Sequence, residues 1–490
     1  MTMPAPGTIP AITHHIDGQW RTGSDGDVVE VVNPATEATI TTFVSASASD
    51  VDDAVAAARR AAPAWAALPG RDRADVLHRL ADAVTAHIDE LRTLEILDTG
   101  KPVSAAAADE FPLIIDSIRY FLGAARSLTT QTAGQYLPGV TTMFRREPHG
   151  VVAAITPWNY PLWIAVWKVL PALATGNTVV LKPAENTPLT ATRFVELAAQ
   201  VLPAGVLNLV HGRGHSTGAY LAAHHDVDLV SFTGSVATGR AIAAAGTARP
   251  RRSVLELGGN APVLVLADAD LRDCAATVAA MGTYNAGQEC MAATRVIVEE
   301  SVADDLVALL VDHLAEIVVG DPFDAATTLG PVISARQLAR IEAMLAGLPD
   351  RAKVLAGGKR AGRPGFYLEP TLVTGLEQHD ELVQEEIFGP VITVQTCPDA
   401  DTGLAMANDV PFGLAGSVWT ENIDEGLRLT SALEFGNVWL NTHLAVGPDF
   451  SLGGFRESGY GKEGGLAGIE EFTRVKAVGI RSRVTARADQ

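Results

Sequence analysis

The residues able to do chemistry sit in short polar stretches between apolar runs. Gly287-Gln288-Glu289-Cys290 places a thiol after a small, flexible approach, and cysteine is the strongest nucleophile a protein offers near neutral pH. An ordinary thiol is only about a few per cent thiolate there, so the sequence implies local activation. Leu255-Glu256-Leu257-Gly258-Gly259 embeds a carboxylate between leucines, where burial would raise its pKa to suit a general base. Thr156-Pro157-Trp158-Asn159-Tyr160-Pro161 fixes an amide between prolines, rigid enough to aim N–H groups at a developing oxyanion. Each has a plain structural counterpart: an inert thiol, as assumed for Cys274 and Cys397, a solvent-facing strand carboxylate, or an asparagine capping a turn.

Other loops suggest a nucleotide. Lys182-Pro183-Ala184-Glu185 puts a cation and a carboxylate after an apolar run, where a carboxylate would accept ribose hydroxyl protons and repel a 2'-phosphate, favouring NAD over NADP. Gly212, Gly214 and Gly218 follow the next run, and Gly234 and Gly239 bracket Ser235 in Phe232-Thr233-Gly234-Ser235. Free N–H groups in such turns can receive a pyrophosphate, although neither turn spells G-x-G-x-x-G.

These stretches need a frame. Apolar runs at Val151–Ile155, Thr178–Leu181, Val206–Val210, Leu229–Phe232 and Ser253–Leu257 alternate with helical segments, which predicts a parallel sheet covered on both faces. Ligands bind beyond the carboxyl ends of such strands, so each site residue is expected in a loop after a strand. A second α/β series runs from Pro262 to about Gly461. Ahead of both lie strands around Ile12–Trp20 and Val28–Val32 and helices over Val51–Leu68, capped by Ser49 or Asp52, and Asp72–Leu97. Gln131–Arg146 and Arg474–Ser482 alternate polar and apolar residues with no helix to cover them. Pairing with another subunit and a hairpin within one chain both fit the pattern.

A length of 490 residues predicts two to four domains. The 37 Lys and Arg against 57 Asp and Glu leave a charge of −20, which argues against nucleic acid and anionic membrane surfaces as partners. Three cysteines form neither a disulfide framework nor a zinc spacing, and fit a reducing, cytoplasmic setting. Met1–Trp20 shows no signal-peptide pattern, and Pro157, Asn159 and Pro161 break the uncharged stretch Pro148–Trp167, so no membrane span is expected.

Taken together, Pro157–Pro161, Lys182–Glu185, Phe232–Ser235, Glu256–Gly259, Gly287–Cys290 and Glu385-Glu386-Ile387-Phe388-Gly389-Pro390 resemble the NAD(P)-dependent aldehyde dehydrogenase superfamily, in its order and at compatible separations from about Ile16 to Val478. The resemblance implies a Rossmann-type NAD-binding domain (1–123 and 147–258), an α/β catalytic domain (259–457) and a β-ribbon oligomerisation flap (124–146 and 473–490), assembled as a homodimer or homotetramer. It implies that Cys290 attacks an aldehyde, that Asn159 and the Cys290 N–H hold the oxyanion, and that Glu256 activates the water that hydrolyses the thioester. No metal is required. Lys182 and Glu185 would contact the adenosine ribose of NAD, Ser235 a phosphate and Glu386 with Phe388 the nicotinamide ribose, and Trp158, Gln337, Gly214, Gly234 and Gly258 would also line the cofactor site.

Tyr284-Asn285-Ala286-Gly287, Gly212-Arg213-Gly214 and Ser458–Lys462 look most like the betaine-aldehyde and ω-aminoaldehyde branch. Such cationic aldehydes suit an aromatic box of Trp158, Tyr160, Trp163 and Trp167, with His443 nearby and Asp109, Glu110 and Asp116 adding negative charge at the tunnel mouth. Packing beneath the sheet and a solvated helix face are the plainer uses of these groups. Ser451, where the family often has proline, and the stretch His443–Phe450 depart from the branch, which leaves a neutral aliphatic or aromatic aldehyde open. A CoA-acylating semialdehyde dehydrogenase fits less well, because Glu256 would hydrolyse its thioester. A non-catalytic scaffold would not need Asn159, Glu256 and Cys290 together.

Overall fold

Five apolar runs, too short for helices and without a polar face, become the strands Val151–Ile155, Thr178–Lys182, Leu207–Leu209, Leu229–Thr233 and Arg252–Glu256. In the computed structural model, which describes residues 9–247 and 250–481, they run parallel in the order 3-2-1-4-5. The antiparallel hairpin His14–Ile16 and Gln19–Arg21 extends one edge, and Gly459–Tyr460 the other. Alternate side chains feed two cores. Val152, Ala154 and Leu181 pack on helices Gly70–Ala86, Phe111–Ser127 and Pro161–Ala174, while Val151, Ala153, Ile155 and Val180 pack on Ala48–Ala67 and Ala219–Ala223.

Strand register lines up the functional edge. Lys182 pairs with Ile155, Ile155 with Phe232, and Thr233 with Glu256, so three of the candidate loops leave the sheet at one level. The order reverses at Val151–Ile155, the switch point at which open parallel sheets bind ligands.

A second, seven-stranded sheet runs Lys353–Ala356, Thr371–Thr374, Val391–Cys397, Arg295–Glu299, Pro262–Val265, Ala415–Trp419 and Asn437–Leu440 in spatial order, with only the first pair antiparallel. The chain passes from Glu256 to Pro262 in six steps, so the carboxyl edge of the first sheet faces the amino edge of the second.

Several expectations are corrected. The first helix is capped by Ser47, whose hydroxyl accepts the Asp50 N–H while Asp50 reaches back to the Ser47 N–H; Ser49 and Asp52 lie inside the helix. The stretch 72–97 is two helices, Gly70–Ala86 and Ile88–Thr99, parted at His87. A strand at Thr39–Val44, not anticipated, pairs with Val28–Val32. The two alternating ribbons pair within the chain: Val140–Pro148 lies between Gly134–Leu137 and Thr473–Arg481 in one antiparallel sheet. Residues 482–490 of the expected flap lie outside the described residues. Among the described residues, no helix is long and apolar enough to cross a membrane.

Candidate active site

One cavity of about 500 Å³ opens between the two sheets, and Asn159, Glu256 and Cys290 all line it. Glu256 ends its strand, and Asn159 follows Ile155. Cys290 departs from the strand-then-loop expectation: it precedes strand Arg295–Glu299, as Glu386 and Phe388 precede Val391–Cys397. The site is therefore closed from the amino edge of the second sheet.

The cysteine loop is held under conformational tension. Asn285, Ala286 and Gly287 all have positive φ (50°, 57° and 66°), and the first two lack the freedom of glycine. Side chains fix the turn: Asn285 Nδ2 donates to the Asn159 carbonyl at 3.1 Å, and Gln288 Oε1 accepts the Ile333 N–H at 2.8 Å. Asn159 donates one N–H to the Gln288 carbonyl at 3.0 Å, which sets its amide plane and leaves the second N–H free.

Electrostatics at the thiol oppose the expected activation. Burial pushes the Cys290 thiol well above its ordinary value, and Glu289, Glu386 and Glu256 push the same way. Its Sγ donates to Glu289 Oε1 at 3.3 Å. Burial also raises Glu256 well above the usual carboxylate range; Glu463 adds to this, while Lys168 and Lys462 oppose it. Lys168 and Glu463 form a buried ion pair beside it. Among the described residues Glu256 Oε1 has no hydrogen-bond partner, and an unsatisfied buried carboxylate oxygen can accept from a water.

Residues 20–478 match the aldehyde dehydrogenase family. The chain is 41% identical to a phenylacetaldehyde dehydrogenase of Pseudomonas fluorescens, over 95% of each chain. It is 38% identical to a betaine aldehyde dehydrogenase of Bacillus subtilis, over 95% of this chain and 96% of the other. The crystal structure of a Staphylococcus aureus betaine aldehyde dehydrogenase in complex with NAD+ superposes with a TM-score of 0.93 at 35% identity, covering 97% of this chain and 95% of that one. The chain belongs to the aldehyde dehydrogenase family. It is an oxidoreductase acting on the aldehyde group.

In this aldehyde dehydrogenase the residues expected at a dinucleotide form two local groups. Glu185 Oε2 pairs with buried Lys182 at 3.2 Å, and its Oε1 accepts the Gly214 N–H at 3.3 Å. Ser235 caps helix Val236–Ala245, and the Gly234 N–H is already donated to the Glu256 carbonyl. A Cβ at Gly258 would lie 2.4 Å from Glu386 Oε2, and Glu386 Oε1 accepts the Gly259 N–H at 2.9 Å, so the carboxylate is folded onto bare backbone. Burial lifts Glu386 to about 7. Gln337 Nε2 donates to the Phe388 carbonyl at 2.8 Å and so braces the Glu386–Phe388 loop, and Arg340 holds the Glu386 and Ile387 carbonyls.

The substrate side also differs from expectation. Tyr160, Trp163 and Trp167 line the cavity as a chain of edge-to-face rings with centroids 5.5 Å apart, joined by Tyr284. Trp158 is outside this box, packed edge-on against Phe388 on the dinucleotide side. His443 is buried behind the cavity, bonded to Ser417 Oγ and the Met291 carbonyl, and burial lowers it to about 4, so it is neutral. Asp109 lines the cavity, whereas Asp116 does not and Glu110 is sequestered with Lys101 and Glu95 beneath Tyr160. Glu289, Asn285 and Gln288 were missed as functional residues. The Asn-Ala-Gly run ahead of the cysteine was the signal for the strained turn.

Proposed function

We propose that the protein oxidises an ω-aminoaldehyde or betaine aldehyde to the acid with NAD, through a thiohemiacetal and a thioester on Cys290. The observation that carries the reaction is the single cavity shared by Asn159, Glu256 and Cys290. Cys290 Sγ adds to the carbonyl carbon, and the carbonyl electron pair moves onto oxygen. The free N–H of Asn159 and the Cys290 backbone N–H stabilise that charge. NAD, when bound, supplies the hydride acceptor; Lys182, Glu185, Ser235 and Glu386 would hold it. Glu185 disfavours a 2'-phosphate, hence NAD over NADP. Glu256 Oε1 then takes a proton from the water that attacks the thioester, and burial makes that carboxylate more basic than an exposed one.

Two carboxylates, Asp109 and Glu289, and four aromatic rings in one cavity support a cationic substrate. The wall also carries Ile164, Met281, Leu444 and Leu452, and the phenylacetaldehyde dehydrogenase relative favours a neutral aromatic aldehyde as the second reading. Exposed Tyr136, Leu137, Val475 and Ile480 on the three-stranded sheet support a homodimer or homotetramer built through that flap. The domain division at residues 123, 147, 258 and 457 follows the same reading, as does a reducing, cytoplasmic location.

The test is NADH formation from 4-aminobutanal, betaine aldehyde and a neutral aldehyde of matched length. Cys290→Ala should abolish it with all three while retaining NAD binding; turnover near wild type refutes the nucleophile. Glu256→Gln should keep the initial burst and lose steady turnover. A strong preference for the neutral aldehyde sinks the cationic substrate.

A further inference from the structure

The hydrogen bond of the Cys290 thiol goes to its chain neighbour and not to Glu256. Glu289 Oε1 accepts from Sγ at 3.3 Å and from the Met291 N–H at 3.2 Å, which fixes the carboxylate beside the sulfur. Glu289 is 8% exposed and lines the cavity with Cys290. The charged groups that act on the sulfur are all carboxylates, so a standing thiolate is disfavoured. The proton must leave as the sulfur attacks, and a base in contact is required.

We propose that Glu289 is the base that takes the Cys290 proton during acylation, leaving Glu256 for the hydrolytic water. The proposal rests on the reading of Cys290 as nucleophile. The S–H bond breaks and its proton forms an O–H bond on Glu289. A sulfur pair forms the C–S bond, and the carbonyl π pair moves to oxygen against Asn159. The aldehyde hydrogen then departs with its electron pair as hydride to the oxidised nicotinamide, and the oxygen pair closes the thioester carbonyl. Glu289 returns its proton to cavity water before the next turnover.

The surroundings of Glu289 fit this cycle. Burial raises its pKa, while Tyr160, the Met291 N–H, Cys290 and Lys101 favour the anion. The titratable groups facing it are Cys290, Tyr160, Tyr284, Lys101 and Glu386. The net effect is a carboxylate more basic than an exposed one, in contact with the thiol. Glu256 interacts chiefly with Glu463, Lys168 and Lys462, and it makes no hydrogen bond to the thiol.

The experiment is the pH profile of Cys290 alkylation by iodoacetamide, which needs neither aldehyde nor dinucleotide. Wild type should show a limb that rises with carboxylate ionisation, below the alkaline limb of the thiol. Glu289→Gln should lose the lower limb, with alkylation at neutral pH and the NADH burst both reduced about a hundredfold. Glu289→Asp should recover part of each, and Glu256→Gln should keep the burst. A single alkaline limb in wild type overturns the proposal even if the Gln variant does not fold. An unchanged burst in Glu289→Gln overturns it too, as does a defect confined to KM for cationic aldehydes, which would make Glu289 a substrate contact. If wild type formed no NADH from any aldehyde, the proposed function would fail separately from this profile.

Discussion

Replacing Gly287 with alanine tests how tightly the two halves of the site are locked together. The residue has φ +66°, and a Cβ there would stand 2.0 Å from the Gly389 carbonyl oxygen, 2.3 Å from its carbon and 2.7 Å from Pro390 N. All three are backbone atoms, so no rotamer change relieves them. Ordinary contact begins at 3.4 Å, and one loop must withdraw by about 1.4 Å to reach it. Left-handed backbone costs alanine about 1–2 kcal/mol, and forced overpacking about 1–3 kcal/mol more. The displacement separates Cys290 from the Glu386–Phe388 loop, and a misplacement of about 1 Å costs about a hundredfold in rate. Gly287→Ala should therefore lower the urea unfolding midpoint and cut kcat about a hundredfold in steady-state NADH formation. Gly214→Ala is the control for stability, because nothing lies within 4 Å of its added Cβ, and its midpoint should not move. A Gly287→Ala enzyme with wild-type midpoint and kcat would refute the argument.

Two further outcomes concern buried charge. Glu386 holds a proton up to about 7 when folded and releases it near 4.5 when unfolded, so its contribution to stability is lost as pH rises through that window. Glu386→Gln should flatten the corresponding fall in unfolding midpoint, and an unchanged slope would count against the burial argument. Lys101→Met removes the ammonium that contacts both buried Glu95 and Glu110, and should destabilise by about 3–5 kcal/mol in chemical denaturation. A variant within about 0.5 kcal/mol of wild type would show that the pair is already neutral.

Sequence reasoning reached the parallel sheets because Val151–Ile155 is apolar at every position and its partners are largely so, a pattern that burial on both faces explains. It missed the break at His87 because leucine and valine spacing continues through it with no Gly or Pro to mark a stop. Thr39–Val44 escaped because its polar threonines resemble a loop until Val28–Val32 lies beside them. Asn159, Glu256 and Cys290 each had a plainer reading alone, and only the joint resemblance of six motifs singled them out. The direction of a side chain was not. His443 and Gln337 occupy the right neighbourhood but point into carbonyls behind the loops, and Trp158 turns towards Phe388. Such choices depend on partners more than a hundred residues away, as with His443 and Met291. The thiol's environment was misjudged for the same reason: the sequence shows Glu289 beside Cys290 but not that Glu386 and Glu256 add to its effect.

The pairing of Val140–Pro148 with Thr473–Arg481 also governs how the molecule is born. A ribosome adding about 5–20 residues per second needs some tens of seconds to deliver the second strand after the first. Throughout that interval the earlier hairpin presents a naked strand margin to every neighbouring nascent chain. Its protection in the cell must come from a chaperone or from speed of translation, and synonymous codon changes that slow the last third of the message should lower soluble yield without altering a single residue.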